Sequence, residues 1–200
     1  MSEWQSNRKD GNTNNAYLSF DIESDGPCPS TNSMISIGIF VFNGKGEKIT
    51  TFQRNIIPHA TRKADPVTKK FWDKHPKIVE FMKTDQVSAE QCMSDLSEFY
   101  KSIKLTYKPT WMARPSAFDW QWVNTYYREF GHPDRVDIGY SSMCVSTLLW
   151  AYKAINPDVK WNVLMKELEE GLVGDHNPLN DAKCQAMVAL NICDKLKIRL

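Results

Sequence analysis

The opening third of the chain places apolar and polar residues as strands do. Residues Tyr17–Glu23 form a short apolar segment that is followed by the turn-rich residues 24–29. Residues 34–42 are rich in β-branched and aromatic side chains, and the turn at 43–46 leads into residues 48–57. Short apolar segments bounded by glycine, proline and asparagine are typical of strands, and Asn-Gly is a hairpin signal. We expect three consecutive strands, the last two joined as a hairpin.

The remainder of the chain changes to helical spacing. Ser88, with Gln91 three residues later, predicts the start of an amphipathic helix. Ser116 is expected to cap a second helix, and Asn177 before Pro178 begins the last one. The predicted helices cover residues 68–72, 88–103, 116–130, 145–154, 162–169 and 177–195, and residues 110–113 are a candidate strand. Strands followed by mixed strands and helices favour an α/β domain with a mixed sheet.

Length and composition describe an ordinary single domain. The 200 residues predict a loose N-terminal tail over 1–15 and one domain over 16–200. Five scattered cysteines indicate neither a zinc site nor a disulfide framework. The longest apolar run, 34–42, is too short to cross a bilayer, and the polar N-terminus lacks a signal peptide. We therefore expect no membrane partner and a cytoplasmic location. The net charge of +1 offers no extended positive field, so any grip on nucleic acid should be local.

Four carboxylates and one histidine stand at the ends of predicted elements. Asp21 and Glu23 are two apart on a strand, so both project from the same face. Asp119 lies near the start of a helix, and His176 and Asp181 flank the start of the last helix. Carboxylates gathered from distant parts of a chain hold divalent metals against a phosphodiester. Each motif also has a simpler explanation: a solvated strand end, a capping box at Asp119, or an unremarkable loop histidine.

Taken together, these motifs resemble the DEDDh 3′–5′ exonucleases of the ribonuclease-H-like superfamily, from about residue 17 to 195. Phe20-Asp-Ile-Glu23 is similar to the first motif of that family and Phe118-Asp119 to the second. His176 and Asp181, continuing through Ala182 and Gln185-Ala186, resemble the third motif. The resemblance implies a five-stranded mixed sheet flanked by helices. The chain departs from the family at residues 113–117, where many members carry an asparagine; here Arg114 would face substrate phosphate or lie on the surface.

The resemblance also implies an activity and a mechanism. Four carboxylates favour Mg²⁺ or Mn²⁺ over zinc, and two ions would bridge the scissile phosphate. Asp21 would bridge both ions, Glu23 and Asp181 would hold the ion that carries the attacking water, and Asp119 would act on the second ion. His176 would take the proton from that water. The products would be 5′-mononucleotides released from a free 3′ end.

Substrate handling follows less directly from the sequence. We expect Ser24 and Gly26 near the terminal sugar, and Trp72 either in the core or stacked on a base. Phe118 is expected in the core. The small size and near-neutral charge favour short single-stranded substrates or 3′ tails. No side chain can be assigned to a contact with the 2′-hydroxyl, so the choice between RNA and DNA stays open, with RNA slightly favoured. The resemblance allows a homodimer, although nothing in the sequence identifies an interface.

Two other functions fit the same sequence. A ribonuclease-H-like domain can serve as an inactive nucleic-acid-binding or scaffold module, usually after loss of a ligand, and all five positions are filled here. A two-metal phosphoesterase acting on small molecules or on duplex interiors would share the same ligands.

Overall fold

The computed structural model describes residues 11–200, which form a five-stranded mixed sheet with helices on both faces. The strands are β1 (Asn15–Ser24), β2 (Met34–Asn43), β3 (Lys48–Asn55), β4 (Lys108–Ala113) and β5 (Met143–Cys144). Their order across the sheet is β3-β2-β1-β4-β5. Strands β1, β2 and β3 pair antiparallel, whereas β4 runs parallel to both β1 and β5. The predicted mixed sheet and the hairpin between β2 and β3 are confirmed.

Seven helices complete the described part of the chain: α1 (Pro66–Trp72), α2 (Pro76–Met82), α3 (Ala89–Lys104), α4 (Ser116–Phe130), α5 (Val145–Ile155), α6 (Trp161–Glu169) and α7 (Pro178–Lys195). The predicted caps at Ser88 and Asn177 are confirmed, since each side chain accepts hydrogen bonds from the first turn of its helix. Helix α2 was not predicted. Most of the predicted tail, residues 1–10, lies outside the described residues, and Asn12 is hydrogen bonded to Leu200 and Gly44.

The prediction that Ser116 caps α4 is wrong. Pro115 is the N-cap residue, with extended backbone angles, and Ser116 is already the first helical residue. The extended ψ of Pro115 gives it the backbone of an N-cap residue, so the helix begins at Ser116, one residue earlier than expected. No side chain caps this helix, so Asp119 does not belong to a capping box.

Two apolar cores lie on opposite faces of the sheet. Even-numbered residues of β1, including Leu18, Phe20 and Ile22, pack against α3 and α4. On the other face, Tyr17 packs with residues of β2, α5, α6 and α7. Because side chains alternate along a strand, the odd-numbered Asp21 and Glu23 emerge on the face that α7 covers.

Gly38 allows α7 to begin directly above the sheet. Gly38 pairs with Asp21 across the β1–β2 ladder. A Cβ atom at Gly38 would overlap the backbone of Pro178 and Leu179 at the start of α7. The missing side chain therefore lets the first turn of α7, which carries Asp181, approach the strand that carries Asp21 and Glu23. In residues 11–200, no helix has both the length and the apolar character required to cross a bilayer.

Candidate active site

Strand β1 supplies the first two carboxylates of the site. Asp21 and Glu23 are half-buried, and Ile22 between them is buried in the core under α3 and α4. The ladder with β2 becomes irregular between Glu23 and Ser24. Regular pairing therefore continues as far as Glu23, which holds both carboxylates on a rigid element.

Asp119 reaches the same place from the first turns of α4. Its side chain is only 3% exposed, and its Oδ1 accepts a hydrogen bond of 3.3 Å from the Ile22 backbone N–H. Ile22 lies between the other two carboxylates, so Asp119 is directed at the strand end. The Asp119 side chain therefore makes this contact and does not cap α4, the alternative that the sequence allowed.

The first turn of α7 supplies Asp181, and the loop before it supplies His176. The Asp181 Oδ1 accepts a hydrogen bond of 2.9 Å from the Asp175 backbone N–H. Asn177 caps α7 through its side-chain oxygen, which also accepts a hydrogen bond from Gln53 at 3.0 Å. His176 adopts a left-handed backbone with φ of 62°. Ligand atoms of Glu23, His176 and Asp181 all lie within 4.8 Å of one another.

All four carboxyl groups have raised pKa values. Burial raises the pKa of Asp21 well above its usual value, and the charges of Asp119, Glu23 and Asp181 raise it further. Burial and the charges of Asp181 and Asp119 raise the pKa of Glu23 to about 9. Burial raises the pKa of Asp119 to about 7. The pKa of Asp181 is also raised, again chiefly by burial.

Within residues 11–200, no lysine or arginine forms an ion pair with this cluster. None of the ion pairs formed within residues 11–200 includes Asp21, Glu23, Asp119 or Asp181. Carboxylates crowded in this way become stable in the charged state only when opposing charge is supplied. The donor set is rich in oxygen, which suits Mg²⁺ or Mn²⁺.

Aromatic rings from α1 and the turn after it surround His176. The centroid of its ring lies 4.6 Å from that of His75, 5.1 Å from that of Phe71 and 6.1 Å from that of Trp72. The imidazole is therefore held between this aromatic group and the carboxylates of Glu23 and Asp181.

The remaining predicted residues take different positions. Ser24 and Gly26 line a cavity of about 350 Å³ beside Glu23, as does Trp72. Trp72 is 8% exposed, and its indole N–H donates to the Ser24 carbonyl at 2.9 Å. Gly26 is buried, and a Cβ there would overlap the Asn32 side chain. Arg114 lies 3.7 Å from Glu169 of α6.

Two phenylalanines at this cavity were not recognised from the sequence. Phe71 is 39% exposed and Phe118 is 36% exposed, and both line the cavity with Glu23. The prediction that Phe118 lies in the core is wrong, because its helix turns that position toward the cavity. Each phenylalanine directly precedes a candidate site residue in the sequence. An apolar residue at such a position is equally typical of the core, so this pattern does not identify a cavity position.

Comparison with known proteins agrees on the class of enzyme. A family model described as the 3′-5′ exoribonuclease Rv2179c-like domain matches residues 16–193. The 3′-5′ DNA exonuclease Cap18 of Escherichia coli is 22% identical over 186 residues, covering 90% of this chain and 92% of that protein. One family description thus names RNA and one relative names DNA.

Solved structures of similar fold include a nuclease domain, a metal-bound protein and a complex with single-stranded DNA. The nuclease domain of 3′hExo, a DEDDh family member bound to rAMP, aligns with a TM-score of 0.66 at 15% identity, covering 93% of this chain and 95% of that one. The Mg²⁺- and Mn²⁺-bound form of S. pombe Pop2p aligns with a TM-score of 0.59 at 12% identity, covering 90% and 82%. The zinc-bound E. coli ExoI–ssDNA complex aligns with a TM-score of 0.68 at 14% identity, and this chain spans 41% of that one while 92% of its own length is covered.

At these identities the solved structures establish the fold, and the family match establishes the class. The chain therefore belongs to the 3′-5′ exoribonuclease Rv2179c-like domain family, is an enzyme of the 3′–5′ exonuclease class, and shares the fold of the DEDDh family member 3′hExo.

Proposed function

We propose that this protein is a divalent-metal-dependent exonuclease that removes 5′-mononucleotides from single-stranded 3′ ends, with RNA slightly favoured over DNA. The observation that carries the proposal is the convergence of Asp21, Glu23, Asp119 and Asp181 without a cationic partner among residues 11–200. The family description supports RNA, and the DNA exonuclease relative makes DNA the alternative substrate.

Mg²⁺ or Mn²⁺ would be held by the four carboxylates. Two such ions would neutralise these groups and stabilise the charge that develops on the scissile phosphate. The raised pKa values of the carboxyls, Glu23 at about 9 and Asp119 at about 7, show how strongly the site resists full ionisation by itself. This resistance to ionisation supports a site whose negative charge is neutralised by bound cations.

His176 would act as the general base. A ring nitrogen lies within 4.8 Å of carboxyl oxygens of Glu23 and Asp181, so a water held between these groups would be within its reach. The packing of Phe71 and His75 against the ring limits its orientations. A held imidazole directed at the carboxylates is well placed to deprotonate a water beside the phosphate.

The 350 Å³ cavity would receive the terminal nucleotide. Glu23, Ser24 and Gly26 are among its lining residues, and the sugar would lie against them. Phe71 and Phe118 offer exposed aromatic faces to a base. Because every base has a π-face, stacking of this kind would accept different sequences.

A first test compares the wild type with Asp21→Asn on 5′-labelled oligonucleotides. The wild type should shorten single-stranded substrates one nucleotide at a time with Mg²⁺ or Mn²⁺ and stop in EDTA. Asp21→Asn should lose at least about 10²-fold in rate, because it removes one of the charges that would hold the ions. Asp134→Asn, at an exposed residue of the loop after α4, is the control and should keep full activity.

The same assay separates the remaining alternatives. Matched RNA and DNA strands, single and double, give the substrate preference from their relative rates. Full activity of Asp21→Asn, or products cut from duplex interiors, would contradict the proposal.

A further inference from the structure

Gln185 of α7 connects three elements at the active site. Its side chain is buried, with the residue 5% exposed. The Nε2 group donates a hydrogen bond of 2.7 Å to the Asp21 Oδ1. The Oε1 atom accepts a hydrogen bond of 2.8 Å from the Arg114 backbone N–H, just beyond the end of β4.

The second hydrogen bond determines the direction of the first. A backbone N–H can only donate, so the side-chain oxygen of Gln185 must face Arg114. The amino group then has to face Asp21. An amide reversed end for end would leave the Arg114 N–H without an acceptor and place two oxygens in contact at Asp21. The orientation of Gln185 is therefore fixed by the backbone and does not depend on the state of Asp21.

An uncharged donor suits this position for a physical reason. Asp21 is repelled by Asp119, Glu23 and Asp181, and a free side chain would rotate away from them. A hydrogen bond to Oδ1 opposes that rotation and leaves Oδ2 available. A lysine or arginine here would form an ion pair with Asp21 and compete with a divalent cation, whereas an amide does not.

We propose that Gln185 is a positioning residue that holds the Asp21 carboxylate in the orientation required to bind the divalent cation. This inference rests on the proposed function. It adds a residue to the site beyond the four carboxylates and His176. Donors that orient a ligand commonly change metal affinity or activity by about 10–100-fold when removed.

The principal variant is Gln185→Met, which keeps a long unbranched side chain and removes both hydrogen bonds. We expect the Mn²⁺ concentration for half-maximal activity to rise by about 10-fold or more. At saturating Mn²⁺ part of the loss should be recovered, and KM for the oligonucleotide should stay within about twofold of wild type. A merely structural residue would lower the melting temperature without moving the metal requirement.

The chain offers a matched control in Gln91→Met. Gln91 on α3 also donates from Nε2 to an aspartate, the Asp95 Oδ1, at 2.7 Å, but at an exposed position away from the site. Its substitution removes the same kind of hydrogen bond and should leave the Mn²⁺ requirement unchanged.

Gln185→Glu provides a second measurement if Gln185→Met does not fold. Glutamate keeps the size and the acceptor for Arg114 but places a carboxylate against Asp21. We expect kcat to fall by about 10-fold at saturating Mn²⁺ with KM unchanged. Wild-type kcat in this variant would overturn the proposal, as would a folded Gln185→Met with an unchanged Mn²⁺ requirement.

Direct Mn²⁺ binding without substrate, measured by calorimetry, separates this inference from the proposed function. Wild type that binds Mn²⁺ but hydrolyses no oligonucleotide would contradict the proposed function alone. Equal Mn²⁺ affinities in wild type and Gln185→Met would contradict the role of Gln185 alone.

Discussion

Glu23 combines partial burial with the charges of Asp181 and Asp119, and its pKa is raised from 4.5 to about 9. In the unfolded chain the same carboxyl ionises near its usual value. Between these two values the folded protein without metal holds a proton that the unfolded chain has lost. The free energy of unfolding must therefore fall as pH rises through this window. Asp21, Asp119 and Asp181 act in the same direction, because their pKa values are also raised.

We therefore expect the metal-free protein to melt at a lower temperature at pH 8 than at pH 6, measured in EDTA. Glu23→Gln removes the ionisable group and should melt higher than wild type at pH 8, by about 2–4 °C for each kcal/mol recovered. Mn²⁺ added at pH 8 should raise the wild-type melting temperature, because it binds the folded state. Glu98→Gln, at an exposed residue of α3, should follow the wild type. A melting temperature that increases from pH 6 to pH 8 in EDTA would refute this account.

Helices and strands with a repeating pattern were predictable from the sequence, and elements defined by distant contacts were not. The hairpin of β2 and β3, the body of α3 and the cap of α7 follow from local spacing and turn residues. Strand β5 has two residues, too few for any pattern, and exists because β4 lies beside it. Its fifth place in the sheet was expected only from the family resemblance.

The site shows the same division. Asp21 and Glu23 could be placed on one face of a strand because side-chain alternation is local. Gln185 and Asp21 are 164 positions apart, and their hydrogen bond depends on the complete fold. Nothing in the local sequence indicates the role of Gly38, although the approach of α7 to β1 depends on it. The metal-binding role of the four carboxylates stays a prediction.

Helix α1 places an aromatic ring, that of Phe71, beside the candidate active site. Phe71 lies on α1, contacts the His176 ring and lines the 350 Å³ cavity. Its neighbour Trp72 is buried and bonded to the Ser24 carbonyl, so it anchors the helix and leaves Phe71 to face the cavity.

Phe71→Ala should raise KM for single-stranded oligonucleotides by about 5- to 150-fold, which corresponds to a stacking contribution of about 1–3 kcal/mol for one base. Steady-state kinetics at saturating Mn²⁺ measure KM. Because Phe71 contacts the His176 ring, kcat from the same measurement shows whether the substitution also disturbs His176. Trp150→Ala tests an aromatic residue of α5 that is 68% exposed and should leave KM unchanged. An unchanged KM in Phe71→Ala would exclude Phe71 from base contact.

At the scale of the whole molecule, the near-neutral net charge conceals a local excess of positive charge. Residues 62–83 contain seven lysines and arginines against three aspartates and glutamates, although the whole chain carries only +1. Lys70, Lys74 and Lys77 lie on α1, the turn after it and the start of α2. All three are exposed, and none is part of an ion pair within residues 11–200. They flank Phe71 and His75, so a strand with its 3′ end at the carboxylates could pass along them.

For a single strand, the logarithm of the binding constant falls linearly with the logarithm of the salt concentration. The slope is about −0.7 for each phosphate that the protein neutralises. Replacing Lys70, Lys74 and Lys77 together by alanine should therefore reduce this slope by up to about 2 for a 10-nucleotide strand. Binding is measured by fluorescence anisotropy with Ca²⁺ in place of Mg²⁺, at several salt concentrations.

The control is a triple alanine variant of Lys101, Lys104 and Lys108, which changes the net charge equally. Lys108 pairs with Asn15 at the start of β1, six residues from Asp21 and so about 20 Å away along the strand. If α1 and α2 guide the strand, only the first variant changes the slope. Equal slopes for the two variants would mean that overall charge, and not this surface, attracts the nucleic acid. A dinucleotide should show little difference between the first variant and wild type, because it is too short to reach beyond the carboxylates and Phe71.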